Sequence, residues 1–316
     1  MAPTSIPIGT GTVDFTKTLS STFTTYRAGF GRFLAIGAAV ALVTFVATTV
    51  YLVVYFQWLA GLIGRVSVNP SAADLAGLPG LTAIATAVLM LPVMLVAWWG
   101  ALALCVLADG VLTGQPVTVR EAVRQGWSRL VSLLPIVVIA AVVTGLLLWW
   151  FMVWVVSWVD KLAASPDSAA LHMLGVGAII TVVCLVLGVV GYILAVRWYV
   201  AFPVMVSEKK SILPALGRSW RMTKGSALMI FLLILVVGMA VGIVTSIPSV
   251  PGSLVMVSMS VGVDTSAGAS ALMGRLTWAT IAMMAVTFVI TAFITPVTAI
   301  MSQVVYRTRL AAVPVA

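Results

Sequence analysis

Residues 33–63 read FLAIGAAVALVTFVATTVYLVVYFQWLAGLI, a run without a single charged side chain. About 20 consecutive apolar residues carry an α-helix across the hydrocarbon core of a bilayer, and this run exceeds that. Five more follow: Leu81–Leu107, Leu130–Val159, Met173–Met205, Ala227–Ile247 and Leu276–Val305. Several surpass the bilayer requirement, so tilt or extension past the hydrocarbon is expected. Composition agrees, with 62% of the 316 residues hydrophobic and 8% charged, against about 45–50% and 25% in a soluble domain. One water-soluble core cannot hide that much apolar surface, so the chain reads as an integral membrane protein. Residues 1–32 are polar, and the run after them is longer than the roughly 7–15 apolar residues of a signal peptide. The first run is therefore expected to be a retained span.

The formal net charge is +9, which in a soluble protein would suggest nucleic acid. Membrane proteins instead gather Lys and Arg on the cytoplasmic side. With the N-terminus inside, the inner segments hold thirteen cations: Lys17, Arg27, Arg32, Arg120, Arg124, Arg129, Lys209, Lys210, Arg218, Arg221, Lys224, Arg307 and Arg309. The outer loops hold three, Arg65, Lys161 and Arg275, and Arg197 remains inside a span. Both termini are thus expected in the cytoplasm, and topology accounts for the cations without a nucleic-acid partner. Trp58, Trp149, Trp150, Trp154, Trp158 and Trp278 fall near the outer ends, and Trp127, Trp198 and Trp220 near the inner ones, as aromatic belts do. The Trp150, Trp154, Trp158 stripe can also be read as an aromatic ligand wall. The organisation expected is a cytoplasmic segment over 1–32, a six-span domain over 33–305 and a cytoplasmic tail over 306–316.

An internal repeat runs through the inner segments. VLTGQPVTVREAVRQGW (111–127) aligns without gaps on VMVSEKKSILPALGRSW (204–220), matching Thr118 to Ser211, Ala122 to Ala215 and Trp127 to Trp220. A weaker copy, FTTYRAGFGRF (23–33), puts Tyr26 in the tryptophan position. At 100° per residue, Ile212, Leu213, Leu216 and Trp220 share one face, with Arg218, Arg221 and Lys224 on the adjoining one. In the second copy Val119, Ala122, Val123, Gly126 and Leu130 form the apolar stripe with Trp127 at its edge; Arg124 lies opposite and Arg120 near the boundary. In the first copy Phe15, Leu19, Phe23, Tyr26, Phe30 and Phe33 cluster. These read as amphipathic helices in the headgroup plane, apolar side down. The fold class expected is an all-α bundle of six transmembrane helices, arranged as three pseudo-repeated hairpins, each preceded by a cytoplasmic amphipathic helix.

Motifs for chemistry are absent. His172 is the single histidine, and no HExxH, Walker-type loop or strand-borne GxGxxG occurs. Cys105 and Cys184 lie inside apolar runs without CxxC or Cys/His neighbours, which reads as neither disulfide nor zinc site. No catalytic residue, metal ligand or cofactor site is assigned. The acids, Asp14, Asp74, Asp109, Glu121, Asp160, Asp167, Glu208 and Asp264, fall in loops or at span ends, which argues against ion-coupled transport. Arg197 is the one deep cation; it is expected to snorkel or to pair with Asp109, its nearest acid by depth. Its alternative role is a headgroup contact. Pro92, Pro203 and Pro296 within spans, and Gly188 and Gly191 in the fourth, mark places for kinks and close helix approach.

The stretch RWYVAFPVMVSEKKSILPALGRSWRMTKGS (197–226) resembles the membrane domain associated with glycerophosphoryl diester phosphodiesterases. The likeness rests on Arg197, Pro203, Glu208 and an A-x-x-x-S-W-x-x-T-x-G run from Ala215 through Ser219, Trp220, Thr223 and Gly225. The exit VVYRTRL (304–310) is similar to that family's aromatic-then-basic ending. The likeness is best over 194–235 and looser elsewhere. It implies a stand-alone six-span protein of a bacterial cell membrane, the membrane domain without the enzyme, since the chain ends soon after its last span. The function expected is a non-enzymatic membrane protein that binds or moves lipid or another amphipathic molecule, or supports an envelope-assembly partner. A small-molecule permease is the alternative. Candidate contacts to anionic headgroups or ligand are Arg197, Arg218, Arg221, Lys224, Arg120 and Arg124, with Tyr26, Trp127 and Trp220 as interfacial anchors. The partners expected are membrane lipids, anionic ones above all.

Overall fold

The computed structural model describes residues 12–68, 78–115, 117–139, helical pieces between 142 and 154, 166–246 and 269–310. Residues 1–11, most of the loops expected at 67–80 and 248–275, much of the expected third span beyond Ile139, Trp158 and the tail from 311 onward lie outside the described residues. All described regular structure is helical. Helix α1 (Phe15–Ala28) starts at Asp14, whose carboxylate accepts the Lys17 N–H at 2.9 Å. It leads at once into α2 (Phe30–Val68), and α3 (Leu78–Leu112) returns. Helix α4 (Val119–Leu130) is capped by the Thr118 hydroxyl on the Glu121 N–H. A 3₁₀ turn over Val131–Leu133 then joins it to helix resuming at Leu134. Next come α5 (Pro166–Arg197), α6 (Ala201–Ser207), α7 (Ile212–Thr223), α8 (Ala227–Ser246) and α9 (Ala269–Leu310). Among the described residues, six stretches are long and apolar enough to cross a membrane: Phe30–Val54, Leu91–Leu112, Val119–Ile139, Thr181–Ser207, Ala227–Ser246 and Thr277–Leu310. The fourth expected span therefore divides into α5 and α6. Pro203 has no N–H for the Tyr199 carbonyl, so the helix stops at Arg197 and restarts with proline in its first turn. Pro92 and Pro296, in contrast, lie inside α3 and α9, which continue through them.

The core sits at the end of the bundle that carries α1, α4 and α7, called here the basic end. Helix α3 is its axis: Leu102 through Ala108 are all buried. Small residues allow the closest approaches. A Cβ on Gly126 of α4 would stand 3.1 Å from the Ala103 backbone nitrogen of α3. A Cβ on Gly37 of α2 would overlap the Ala292 carbonyl oxygen of α9 and lie 2.9 Å from the Pro296 ring. Gly188 and Gly191 are not such places, because nothing lies within 4 Å of a Cβ on either. Between Thr181 and Gly191 every residue of α5 is exposed, so in a bilayer its surroundings there would be hydrocarbon.

The three short helices share one count. From the cap, the following helix begins at the sixteenth residue in each: Asp14 to Phe30, Thr118 to Leu134, Ser211 to Ala227. The fourth and eighth residues past the cap are small and buried: Thr18 and Thr22, Ala122 and Gly126, Ala215 and Ser219. The ninth is an exposed aromatic, namely Phe23 at 50%, Trp127 at 64% and Trp220 at 43%. This count puts Phe23, rather than Tyr26, opposite the two tryptophans. Tyr26 is half-buried, and its hydroxyl donates to the Phe293 carbonyl at 3.4 Å.

Candidate functional site at the basic end

Helix α7 is held by the residues of its own motif. Where α5 ends, the Arg197 carbonyl has no further helical N–H to accept. The Ser219 hydroxyl donates to it at 2.8 Å and the Thr223 hydroxyl at 3.5 Å. The Arg197 guanidinium lies over the Trp220 ring, 5.0 Å from its centroid, a cation–π arrangement. At the same C-terminal end of α7, Arg309 of α9 donates to the Met222 carbonyl at 2.8 Å and to the Lys224 carbonyl at 3.1 Å. A cation thus caps the carbonyl-rich terminus of the helix, where the helix dipole favours it. Gly225, at φ 84°, turns the chain into α8.

Two ion-pair centres lie where α3, α6 and α9 end together. At the first, Asp109 accepts from Arg307 Nε at 2.8 Å and from Arg307 Nη2. Gln303 Nε2 and, at 3.3 Å, the Ser207 hydroxyl donate to the same carboxylate oxygen. At the second, Glu208 pairs with Arg218 Nε at 3.2 Å and Lys210 Nζ at 2.7 Å, and the Tyr306 hydroxyl donates to it at 3.4 Å. Lys209, at φ 54°, makes the turn that brings α7 back beside Glu208. The Glu208 and Arg218 side chains are 6% and 3% exposed. Burial by itself raises the Glu208 carboxyl; hydrogen bonds and charge from Lys210 and Arg218 outweigh it and hold the group below its ordinary value of 4.5.

These contacts revise two expectations. Asp109 takes Arg307 in place of Arg197, because the α3 and α9 ends meet directly while Arg197 turns onto Trp220. Arg218 does not stand among surface cations: the face of α7 turned inward carries Ile212, Ala215, Arg218, Ser219, Met222 and Thr223. Leu213 is 72% exposed, so the apolar face expected to point one way is split between core and exterior. Close packing against the α5–α6 elbow admits small side chains, and an apolar exterior accommodates the large ones. The α4 stripe agrees better, with Ala122, Gly126 and Leu130 buried and Trp127 outward. Arg120, Arg124, Arg221 and Lys224 are exposed. Cys105 is buried against α9, its sulfur 3.9 Å from the Ser302 hydroxyl, and Cys184 is exposed.

A cavity of about 280 Å³ opens beside this machinery. Trp98 of α3, Leu133 and Ile136 after α4, Trp198, Ala201 and Phe202 at the elbow, and Ile212 and Leu216 of α7 line it, and the lining is apolar throughout. The paired cations and the glutamate were legible as charges, whereas this space was not, since its walls come from four separate segments. Among the described residues no three His, Cys, Asp or Glu side chains come together as metal ligands would. The arrangement combines an apolar space with exposed cations.

No curated protein and no solved structure matches the chain. Residues 172–312, which span α7, both ion-pair centres' α6 and α9 members and the Arg197 clamp, match the family model described as the membrane domain of glycerophosphoryl diester phosphodiesterase.

Proposed function

We propose that this is a non-enzymatic membrane protein that binds anionic lipid at its basic end. The observation that carries the reading is the grouping on α4 and α7 of exposed cations with an exposed tryptophan: Arg120 and Arg124 with Trp127, Arg221 and Lys224 with Trp220. Tryptophan favours the headgroup level, and each cation near an anionic surface adds about 1 kcal/mol of attraction. The shared count of the three short helices supports a chain made of three copies of one unit, a surface helix followed by a hairpin of spans. That would place Phe23 and the exposed Lys17 and Arg27 of α1 in the same layer. Arg218 and Arg197 serve this layer by holding α7 in place.

The test is native mass spectrometry of the full chain from detergent with added phosphatidylglycerol or phosphatidylcholine. Retention of the anionic lipid should exceed that of the zwitterionic one. The preference should fall when Arg120, Arg124, Arg221 and Lys224 are all replaced by glutamine. Equal retention of the two lipids by the unaltered chain would overturn the reading. For the permease alternative, Pro92, Pro203 and Pro296 offered candidate breaks; α3 and α9 run through Pro92 and Pro296, and the interruption lies at the elbow before Pro203. Uptake of a defined solute into proteoliposomes would be needed to support it.

A further inference from the structure

We infer that the cavity under α7 is the seat of one lipid acyl chain, with the lipid's anionic headgroup at Arg129 and Lys209. This rests on the lipid-binding reading above and gives that site its tail pocket. The elbow at Trp198–Val200 makes the space: α5 stops, α6 restarts, and the small Ala201 lies among Trp98, Trp198 and Phe202. Trp98 and Phe202 meet edge to face at 6.2 Å and form one wall. Protein interiors are close-packed, and side chains facing a void forfeit their dispersion contacts. An apolar lining offers nothing to water or to a polar solute, but its surfaces match a hydrocarbon chain. Trp198 is 40% exposed, so the space is reached from outside.

Charge placement selects a lipid over a neutral hydrocarbon. Arg129 stands one helical turn before the lining residue Leu133, and Lys209 is exposed just ahead of Ile212. The cations are thus in the two segments that enter the cavity from the basic end. A single-chain or two-chain phospholipid would place its phosphate there and one tail between the tryptophans. This differs from the diffuse attraction expected of Arg120, Arg124, Arg221 and Lys224, because it depends on the tail as well as the headgroup.

The experiment measures binding of lysophosphatidylglycerols of increasing chain length to the full chain by native mass spectrometry. Affinity should rise about fourfold for each methylene that enters the cavity, and then level off. Leu216→Trp, which fills the space, should abolish the rise; Leu213→Trp, on the exposed side of the same helix, should keep it. Ile136→Trp fills the cavity from another wall and decides the matter if Leu216→Trp does not fold. A rise that persists in the filled variants, or no rise in the unaltered chain, overturns the inference. Those outcomes leave the headgroup reading standing if phosphatidylglycerol is still preferred to phosphatidylcholine. Loss of that preference with the chain-length rise intact sinks the headgroup reading alone.

Discussion

Replacing Arg218 by alanine removes the more deeply buried of the two cations paired with Glu208, where the Arg218 and Glu208 side chains are almost fully enclosed, 3% and 6% exposed. Breaking a buried ion pair on one side costs about 3–5 kcal/mol, because the remaining charge is left without compensation. Here Lys210 stays 2.7 Å from Glu208, but it is 34% exposed and so screened, and Tyr306 still donates. Subtracting what they retain leaves about 2–3 kcal/mol, or about a 30- to 140-fold shift in the folding equilibrium. Reversible unfolding in mixed micelles, followed by circular dichroism, would read it. The double variant Glu208→Gln/Arg218→Met should be less destabilised than Arg218→Ala, because neutral groups of similar size do not leave a buried charge.

The same pair carries a pH signature. Glu208 titrates below 4.5 in the folded chain, so its contribution is complete above the ordinary glutamate range and disappears as pH falls through the lowered folded value. The gap between the unaltered chain and Arg218→Ala should therefore close on acidification. Equal stability of the two proteins at neutral pH would refute the reasoning. So would an Arg218→Ala protein that folds normally but no longer prefers anionic lipid, since that would return Arg218 to the headgroup layer.

Two further perturbations probe the packing. Ser219→Ala removes the 2.8 Å bond to the Arg197 carbonyl and should cost about 1 kcal/mol; hydrogen exchange should rise in α7 before it rises in α3. Gly37→Ala should force α2 away from the Ala292 carbonyl and Pro296 of α9, costing about 1–3 kcal/mol; thermal unfolding in detergent reads it, whereas Gly188→Ala should be neutral or stabilising.

The spans were readable because a bilayer imposes a length and excludes charge over that length, as in 33–63. The division of the fourth span was readable only in part: Pro203 was visible, but the restart at Ala201 depends on the Arg197 carbonyl finding Ser219 and Thr223. The Asp109–Arg307 pair joins residues 198 positions apart, and span depth alone pointed Asp109 at the wrong arginine. Arg218 and Glu208 are ten residues apart. A lone acid directly ahead of a basic helix was a signal that could have found that pair. Matching aromatic identity selected Tyr26, whereas counting from the Asp14 cap leads to Phe23, which is the more exposed of the two.

The common source of these differences is that apolarity marks the interior only when the exterior is water. On α7 the large apolar Leu213 and Trp220 face outward, so size marks the inward face at positions where apolarity does not. Thr18 and Thr22, Ala122 and Gly126, Ala215 and Ser219 are the residues that satisfy this, at the same two steps from their caps. The motif that resembles the phosphodiesterase membrane domain then divides by role. Ala215, Ser219, Trp220, Thr223 and Arg197 are engaged in fixing α7 to the elbow, and Glu208 with Arg218 closes the turn behind it. Changes within this set should act first on folding. Changes at Arg120, Arg124, Arg221 and Lys224, which stand outside it, should act on lipid preference with the fold retained. A ligand role for the motif would therefore be indirect: it sets the position of α7, whose Ile212 and Leu216 form one side of the cavity.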